Sequence, residues 1–443
     1  MPVRAGSSAP ASASASRDGE GTIRRYAPRL DRRSLLAGSL ALGLSGPARA
    51  QERPYGPAPL SGGELDPKGD DSGRIVPAPP PGYWPYSGRS GPGRRPDAAS
   101  ARGGWVSGLP NVRYNGPGKP GYPIAPWENS ATGSAVAAGL LPAIRPLHDV
   151  HIRDTIVCLG GDGHYYMTGS TGDNIWAVND GVELWRSKDL QDWTWLGLVW
   201  SIERDGVWER EWRMRKGVPF RALWAPEIHY IRGNYWIVHS MSRAGVAILR
   251  SETGRPEGPY AHAFSPDRPL RGGIDATLFA DDDGSVWFTL GSADEIVRLK
   301  PDMRGFDGPW QKMVAAEGEY DLDPTHHRKE CAAKGLRHFG YEGATMFRRD
   351  GIYYLGVVDR YADRYSFAMW MADQPTGPWR NRHEGPPCCG GGNFLRDGQG
   401  RWWVTFFGND EASPWRERPG LVRVDFAPDG RVIVHRDQPF AAI

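Results

Sequence analysis

Five short stretches of this chain share one pattern, a turn glycine followed by an aromatic or β-branched run. They are Gly163-His-Tyr-Tyr-Met-Thr, Gly233-Asn-Tyr-Trp-Ile-Val, Gly284-Ser-Val-Trp-Phe-Thr, Gly351-Ile-Tyr-Tyr-Leu-Gly and Gly400-Arg-Trp-Trp-Val-Thr, at intervals of 70, 51, 67 and 49 residues. After each comes another strand-like segment: VELWRSKDLQDW, VAILRSETGRPEGPY, EIVRLKPDMRGFDGPW, FAMWMADQPTGPW and LVRVDFAPDG. A repeat of about 50–60 residues with several strands cannot bury its own faces, so copies must stack on their neighbours around an axis. A β-sandwich would also give many strands, but not this fivefold recurrence. The pattern predicts an all-β fold, a five-bladed β-propeller over residues 141–443.

The chain ahead of it has a different character. Gly (58) and Pro (39) are abundant in the 443 residues, and residues 51–140 hold stretches such as APLSGGELDPKGDDSG and VPAPPPGYWPYSGRSGPGRRP. No strand or helix period survives there, which reads as a linker or loosely wrapped arm, with Trp84, Trp105 and Trp127 able to pin it to the domain. Further upstream, Arg32-Arg33 precedes the apolar run LLAGSLALGLSG, which ends at Ala48-Arg49-Ala50. This resembles a twin-arginine export signal with a small-x-small cleavage site over residues 1–50. The run is too short to span a membrane, and an uncleaved anchor is the alternative. A periplasmic or secreted protein is expected, off the membrane once the leader is removed. A formal net charge of +2 gives no reason to expect nucleic acid as a partner. Cys158, Cys331, Cys388 and Cys389 fit no zinc spacing, and their pairing is open.

Acidic residues recur in step with the glycines. Nine residues before the turn glycine stand Asp154, Asp275, Glu342 and Gly391 in copies one, three, four and five, and in the shorter second copy Glu227 stands six before. The segments after the three acids, Thr155–Leu159, Ala276–Ala280 and Gly343–Phe347, each read as one strand. In a propeller the first strand of each blade lines the axis, so three carboxylates in register are expected to point into one funnel. Like charges brought together raise at least one pKa, and a raised pKa suits a general acid. Such acids could instead cap turns or pair with Arg153 and Arg271. Burying three acids together is costly, however, and a role in stability alone explains them poorly.

The stretches RDTIV…DGHYYMTGST, LWAPEIHYIRGNYWIVHS, GGIDATLFADDDGSVWFTLGS and YEGATMFRRDGIYYL resemble glycoside hydrolase family 43 over about residues 145–435. The resemblance implies a five-bladed propeller that hydrolyses arabinose-, xylose- or galactose-containing glycans, poly- or oligosaccharides of plant or microbial origin, with inversion. By position it implies Asp154 as the base that activates water, Asp275 as the acid that tunes pKa and orientation, and Glu342 as the acid that protonates the leaving oxygen. The sequence departs from the family pattern at Thr155, Ala276 and Ala344, where proline is common. It also carries Asn393 in CCGGGNFLRDG, where many members have a Gly-His whose histidine contacts a central metal. No cofactor is therefore expected, with a structural calcium the alternative.

Inverting hydrolysis needs acid and base about 6.5–9.5 Å apart to admit water, and sugar faces need aromatic platforms. Trp176, Trp208, Trp224 and Trp310 fall between strands in this reading, and Trp224 is the best platform. Glu227 and His229, two apart on one strand, are candidate contacts to sugar hydroxyls, as are Arg360, Arg364, Asn409 and Asp410. His326 and His327 read as a loop. Two other functions fit the pattern, a non-catalytic carbohydrate-binding propeller and a retaining glycosidase of a related fold. A metal-dependent hydrolase fits less well, because the repeats hold no His cluster. Oligomeric state is open.

Overall fold

The turn glycines punctuate the chain where the pattern places them. Gly163, Gly233, Gly284, Gly351 and Gly400 all hold left-handed backbone, with φ between 75° and 82°, a region that glycine enters without a Cβ clash. The computed structural model describes residues 60–64, 69–80, 83–86, 134–135, 137–141, 147, 152–171, 177–321, 338–361, 364–409 and 418–438. The leader, most of the arm (with Trp105 and Trp127), Trp176, His326, His327, Cys331 and Asp410 lie outside these residues.

The described chain is almost wholly β. Each turn glycine lies in the hairpin between the first two strands of a four-stranded antiparallel sheet with strands in chain order. Sheet I is Arg153–Leu159, Tyr165–Ser170, Gly181–Ser187 and Trp193–Ser201; sheet II is Leu223–Ile231, Asn234–Met241, Gly245–Ser251 and Tyr260–His262. Sheet III is Thr277–Ala280, Val286–Thr289, Glu295–Arg298 and Gln311–Lys312; sheet IV is Glu342–Arg349, Ile352–Tyr361, Arg364–Ala372 and Arg380–Glu384. Sheet V is Phe394–Arg396, Trp402–Phe407, Pro419–Phe426 and Val432–Val434. The expectation of an all-β chain is met.

Two hairpin lengths alternate. In sheets I, III and V five residues separate the paired ends Leu159 and Tyr165, Ala280 and Val286, and Arg396 and Trp402. In sheets II and IV only two residues intervene, Arg232-Gly233 and Asp350-Gly351. All four of these have positive φ, as a type I′ hairpin turn requires.

Apolar clusters lie between successive sheets. Tyr166, Leu184, Ile228 and Ile237 join sheets I and II. Val238, Ile248, Leu278 and Phe288 join II and III. Phe279, Ile296, Leu355 and Trp370 join III and IV, and Phe347, Phe367, Phe394 and Val404 join IV and V. A fifth cluster, with Val157, Met167, Trp185, Leu395 and Trp403, joins V to I. Trp185, Trp370 and Trp403 are fully buried, and truncating one such side chain to alanine typically costs about 3–5 kcal/mol.

Side-chain bonds reinforce the contact between sheets V and I. Asn393 accepts the Val157 N–H through Oδ1 at 3.0 Å and donates to the Val157 carbonyl through Nδ2 at 2.9 Å. Thr405 Oγ1 donates to the Thr155 carbonyl at 2.6 Å.

The arm is less loose than its composition suggests. Ile75–Val76 pairs with Trp212–Arg213, which pairs in turn with Val218–Phe220, giving a three-stranded sheet on the connection between sheets I and II. Asp71 pairs with Arg243 in the next hairpin of sheet II, and Asp70 accepts the Gly217 N–H at 2.9 Å through its carbonyl. Two-residue strands carry no readable period, and their partners are more than a hundred residues away, so composition alone misses them. Cys158 and Cys389 are free thiols.

Candidate active site

One backbone position recurs at the head of each sheet. Asp154, Ala225, Asp275, Gly343 and Gly391 have φ of 54°, 41°, 54°, 63° and 69°. Two residues further on, Ile156, Glu227, Thr277 and Thr345 face Thr168, Val238, Thr289 and Gly356 on the second strand. In sheet V the corresponding Asn393 accepts the Thr405 N–H at 2.9 Å through its carbonyl. The pairing slips at this kink in sheets I, II and IV, and a bulge of this kind re-aims side chains. Left-handed backbone at Asp154, Ala225 and Asp275 costs on the order of 1–3 kcal/mol each and persists only where the surroundings impose it, commonly at functional sites.

This corrects the register read from the sequence. Counting from the turn glycines sets Glu342 level with the two aspartates, but the residue that shares their backbone position is Gly343. Sheet IV runs six steps from kink to paired end, Gly343 to Arg349, where sheet I runs five, Asp154 to Leu159, and its turn is the short one. The two differences nearly cancel, leaving Glu342 one residue ahead of the kink. In sheet II the equivalent residue is Ala225, and Glu227 lies two beyond it.

The three acids are half-buried and adjoin one another. Asp275 Oδ2 accepts the N–H of Gly343, the residue after Glu342, at 3.1 Å. Gly291, just past the second strand of sheet III, permits this approach. A Cβ there would lie 2.8 Å from Asp275 Cβ, 3.0 Å from Gly343 N and 3.3 Å from Glu342 Cα. Ser170 Oγ donates to Asp154 Oδ2 at 2.6 Å and accepts the Ala225 N–H at 2.7 Å, tying the acid of sheet I to the kink of sheet II. Tyr365 donates its hydroxyl to Glu342 Oε1 at 2.6 Å.

Burial raises the carboxyl pKa of all three. For Glu342 burial is the largest cause and the charge of Asp154 adds to it, while the Tyr365 hydroxyl, Arg153 and Arg360 oppose it. For Asp154, burial is opposed by Arg153, by Ser170 and by the Ala225 N–H. Asp275 is pushed well above the usual carboxylate range by burial, then by Glu342 and Asp154, against the Gly343 N–H. The set therefore titrates jointly, with protons shared among acids that one water-poor site holds together.

The structure distributes the candidate substrate contacts unevenly. Trp224 is half-buried within the first strand of sheet II rather than between strands, with the Arg215 guanidinium 4.5 Å from its ring centroid. Glu227 is buried, its Oε2 2.9 Å from His229 Nε2, and Thr277 of sheet III also bonds to it. Burial raises its carboxyl, against those two bonds. Arg360 is exposed, near the Tyr365 ring. Arg364 is an ion-pair partner of Glu384 at 2.6 Å. Asn409 Oδ1 accepts from Arg153 Nη1 at 3.2 Å, and Arg153 lies over the Phe407 ring at 4.2 Å. Trp208 is buried in a one-turn 3-10 helix against His239, and Arg271 pairs with Glu295 rather than with Asp275. Trp310 is half-buried beside Arg271.

Arg153, which the sequence offered only as an ion-pair partner of a structural acid, faces two of the acids, Asp154 and Glu342. Two residues that the sequence reading passed over complete the site. Ser170 ends the second strand of sheet I and Tyr365 stands near the start of the third strand of sheet IV, each in the same sheet as its acid, where only the folded register connects them to it.

The metal that the resemblance implied as an alternative is tested by Asn393. Its Oδ1 holds the Val157 N–H and the Thr405 hydroxyl, and its Nδ2 holds the Val157 carbonyl. Among the described residues no group of three or more His, Cys, Asp or Glu side chains forms a metal cage. With its side-chain oxygen and nitrogen engaged between sheets V and I, Asn393 offers no free ligand to a central ion.

Comparison with known proteins places these features in a family. The sequence profile for Glycosyl hydrolases family 43 matches residues 144–432. The extracellular exo-alpha-(1->5)-L-arabinofuranosidase ArbA of Cellvibrio japonicus is 24% identical over 297 residues, covering 62% of this chain and 78% of that protein. A beta-D-galactofuranosidase of Aspergillus niger is 31% identical over 182 residues, 36% of this chain and 46% of that protein. An extracellular endo-alpha-(1->5)-L-arabinanase of Bacillus subtilis is 26% identical over 271 residues, 58% of this chain and 74% of its own. Among solved structures, a family 43 enzyme from Xanthomonas citri complexed with xylotriose superposes with a TM-score of 0.50 at 18% identity, over 70% of this chain and 99% of that one.

Proposed function

Because the chain belongs to the glycosyl hydrolases of family 43, it is a glycosidase of arabinose- and xylose-type glycans, and we propose that it acts by inversion with Asp154 as base, Glu342 as acid and Asp275 as the group that sets their charge and position. The five sheets are read as the blades of a propeller, supported by the five apolar clusters and by the Asn393 bonds that join sheet V to sheet I. Residues 141–443 form the catalytic domain in this reading, residues 51–140 an arm partly bound to it, and residues 1–50 an export leader. The mature enzyme then works in the periplasm or outside the cell.

The observation that carries the mechanism is the close set of half-buried acids in which Gly343 N–H holds Asp275 beside Glu342. Asp154 takes a proton from water, whose oxygen attacks the anomeric carbon. The bond from that carbon to the leaving oxygen breaks, and Glu342 delivers its proton to that oxygen. Burial keeps a proton on Glu342 at pH values where an exposed glutamate has lost it. Ser170, the Ala225 N–H and Arg153 favour the charged form of Asp154. Arg153, held by Asn409, is a substrate-facing cation in this scheme, and Trp224 and Arg360 stand at the rim with His229.

The test is hydrolysis of arabinofuranosyl, xylosyl and galactosyl substrates by wild type and Glu342→Gln, with the anomer of the first product read by NMR. General-acid catalysis is worth about 10²–10⁴-fold, so the variant should lose about that much on a natural glycan. It should lose less on an aryl glycoside, whose phenolate needs little protonation. A first product of retained configuration would instead assign Asp154 as nucleophile. Equal activity of variant and wild type would remove Glu342 from the mechanism. Sugar binding without turnover would favour a binding propeller.

A further inference from the structure

The arm reaches the candidate site through one strand. Trp212–Arg215, on the connection between sheets I and II, turns back through Lys216-Gly217 into Val218–Phe220. The arm grips this hairpin by its backbone. Gly73 N–H donates to the Met214 carbonyl at 3.0 Å, Met214 N–H to the Arg74 carbonyl at 2.9 Å and Gly217 N–H to the Asp70 carbonyl at 2.9 Å. Arg213 Nη1 donates to the Gly73 carbonyl at 3.1 Å. Asp71 adds a link to sheet II, because its carboxylate pairs with Arg243 and accepts the Lys216 N–H at 3.3 Å. The fit is close: a Cβ at Gly69 would lie 2.7 Å from the Gly217 nitrogen.

Arg215 ends the gripped strand. Arg213, Arg221 and Arg243 around it pair with Glu211, Glu203 and Asp71. Arg215 has no carboxylate partner among the described residues and lies over rings instead, 5.1 Å from the Phe220 centroid and 4.5 Å from that of Trp224, with Nη1 donating to Ser242 Oγ at 3.4 Å. Burial lowers its pKa to about 10. A guanidinium over an indole face is attracted by the ring quadrupole, the more so where water is excluded. It takes one face of Trp224 and hinders the ring from turning, so a sugar can stack only on the other. Trp224 holds in sheet II the position before the kink that Arg153 and Glu342 hold in sheets I and IV, and both of those reach the acid cluster. The next residue, Ala225, donates its N–H to Ser170, which holds Asp154.

We propose that Arg215 is a positioning residue for the sugar-stacking ring of Trp224, and that arm residues 70–76 set its place. A part of the chain outside the five sheets thereby tunes affinity for glycan. The proposal rests on the reading of the acids as a glycosidase site with Trp224 at its rim.

The test is a double-mutant cycle in the full chain, on the glycan that wild type turns over best. Trp224→Ala should raise KM about tenfold and Arg215→Met about fivefold, with kcat within about twofold, the pattern of lost uniform binding. Combining the two should raise KM no further than Trp224→Ala alone, because a residue that acts through another is not additive with it. Arg215→Lys, which keeps the charge and loses the plane, should fall between wild type and Arg215→Met. Asp71→Ala, in the arm, should raise KM about 2–3-fold, and only where Trp224 is present. Thermal melting checks that the variants fold. Additive effects of Arg215→Met and Trp224→Ala, or a lowered Tm with KM unchanged, would overturn the proposal while the acid and base stand. An unchanged KM in Trp224→Ala would do the same. A wild type that turns over no glycan would overturn the hydrolytic reading, and this proposal with it.

Discussion

Replacing Gly291 with alanine adds one methyl group at the point where sheets III and IV meet at the acids. Gly291 does not lie in the left-handed region, so alanine meets no backbone penalty there, and its only cost is contact. The new Cβ would sit 2.8 Å from Asp275 Cβ and 3.0 Å from Gly343 N, where ordinary contact begins at 3.4 Å. Neither atom can swing away by a side-chain rotation, because one is a Cβ and the other a main-chain nitrogen. The two strands must therefore part by about 0.6 Å, and overpacking of this kind costs about 1–3 kcal/mol. For a domain of about 300 residues that is a fall in Tm of about 2–5 °C. A misplacement of about 1 Å can cost on the order of 10²-fold in rate, so a loss of about 10–100-fold in kcat is expected, with KM less affected. Differential scanning fluorimetry and kcat on the best glycoside read both effects. Gly272→Ala is the control, since no heavy atom lies within 4 Å of its added Cβ. An unchanged Tm and an unchanged kcat in Gly291→Ala would refute the packing of Asp275 against Glu342. A lowered Tm with full kcat would make that contact structural only.

Tyr365→Phe removes a hydroxyl that favours the charged form of Glu342, so the Glu342 pKa should rise and the alkaline limb of the kcat/KM profile should move to higher pH. A limb that stays or moves down would refute Glu342 as the acid. Ser170→Ala removes a donor that favours charged Asp154, which should move the acid limb upward, and it removes one of the two acceptors of the buried Ala225 N–H, at a cost of about 0.5–1.5 kcal/mol. A pH profile together with a urea midpoint separates these two effects. Asn393→Leu leaves the Val157 N–H and carbonyl without their partners and should lower stability by about 2–5 kcal/mol. Because Asn393 is placed at the sheet V to sheet I contact and not at the acids, kcat of the folded enzyme should stay near wild type.

Repetition made much of the fold legible. Each turn glycine had to be followed by a strand, because its φ closes a hairpin and the aromatic run behind it must be buried, and all five behave that way. The pairing of Ile75–Val76 with Trp212–Arg213 could not be read, because neither segment is long enough to show a period. The acids could be found from spacing, but their neighbours could not. Ser170 and Tyr365 reach Asp154 and Glu342 only through folded strands 16 and 23 residues away in sequence. Trp224 fell inside a strand because the kink at Ala225 interrupts the hairpin pairing without ending the strand, a distinction that composition does not carry.

The one-residue offset of Glu342 follows from how the repeat is used. Take the kink as the reference in each sheet. The residue before it is Arg153, Trp224, Ile274, Glu342 and Gly390 in sheets I to V. The kink itself is Asp154, Ala225, Asp275, Gly343 and Gly391. Two residues beyond it stand Ile156, Glu227, Thr277, Thr345 and Asn393. The last row joins sheets: Glu227 to Thr277 across II and III, and Asn393 to Val157 across V and I. The middle row carries the two aspartates, and the first carries Arg153 and Glu342. An inverting reaction needs its acid and base on opposite sides of the anomeric carbon. With Glu342 in the row of Arg153, the acid and the cation that lowers its pKa are structural equivalents in sheets IV and I. Moving the acid to position 343, by exchanging Glu342 and Gly343, would restore the symmetry of the repeat. It would also put a side chain on the 63° backbone, at the residue whose N–H holds Asp275, so the exchange should abolish turnover more completely than Glu342→Gln. An exchanged enzyme that turns over glycan faster than Glu342→Gln would show that the offset is incidental.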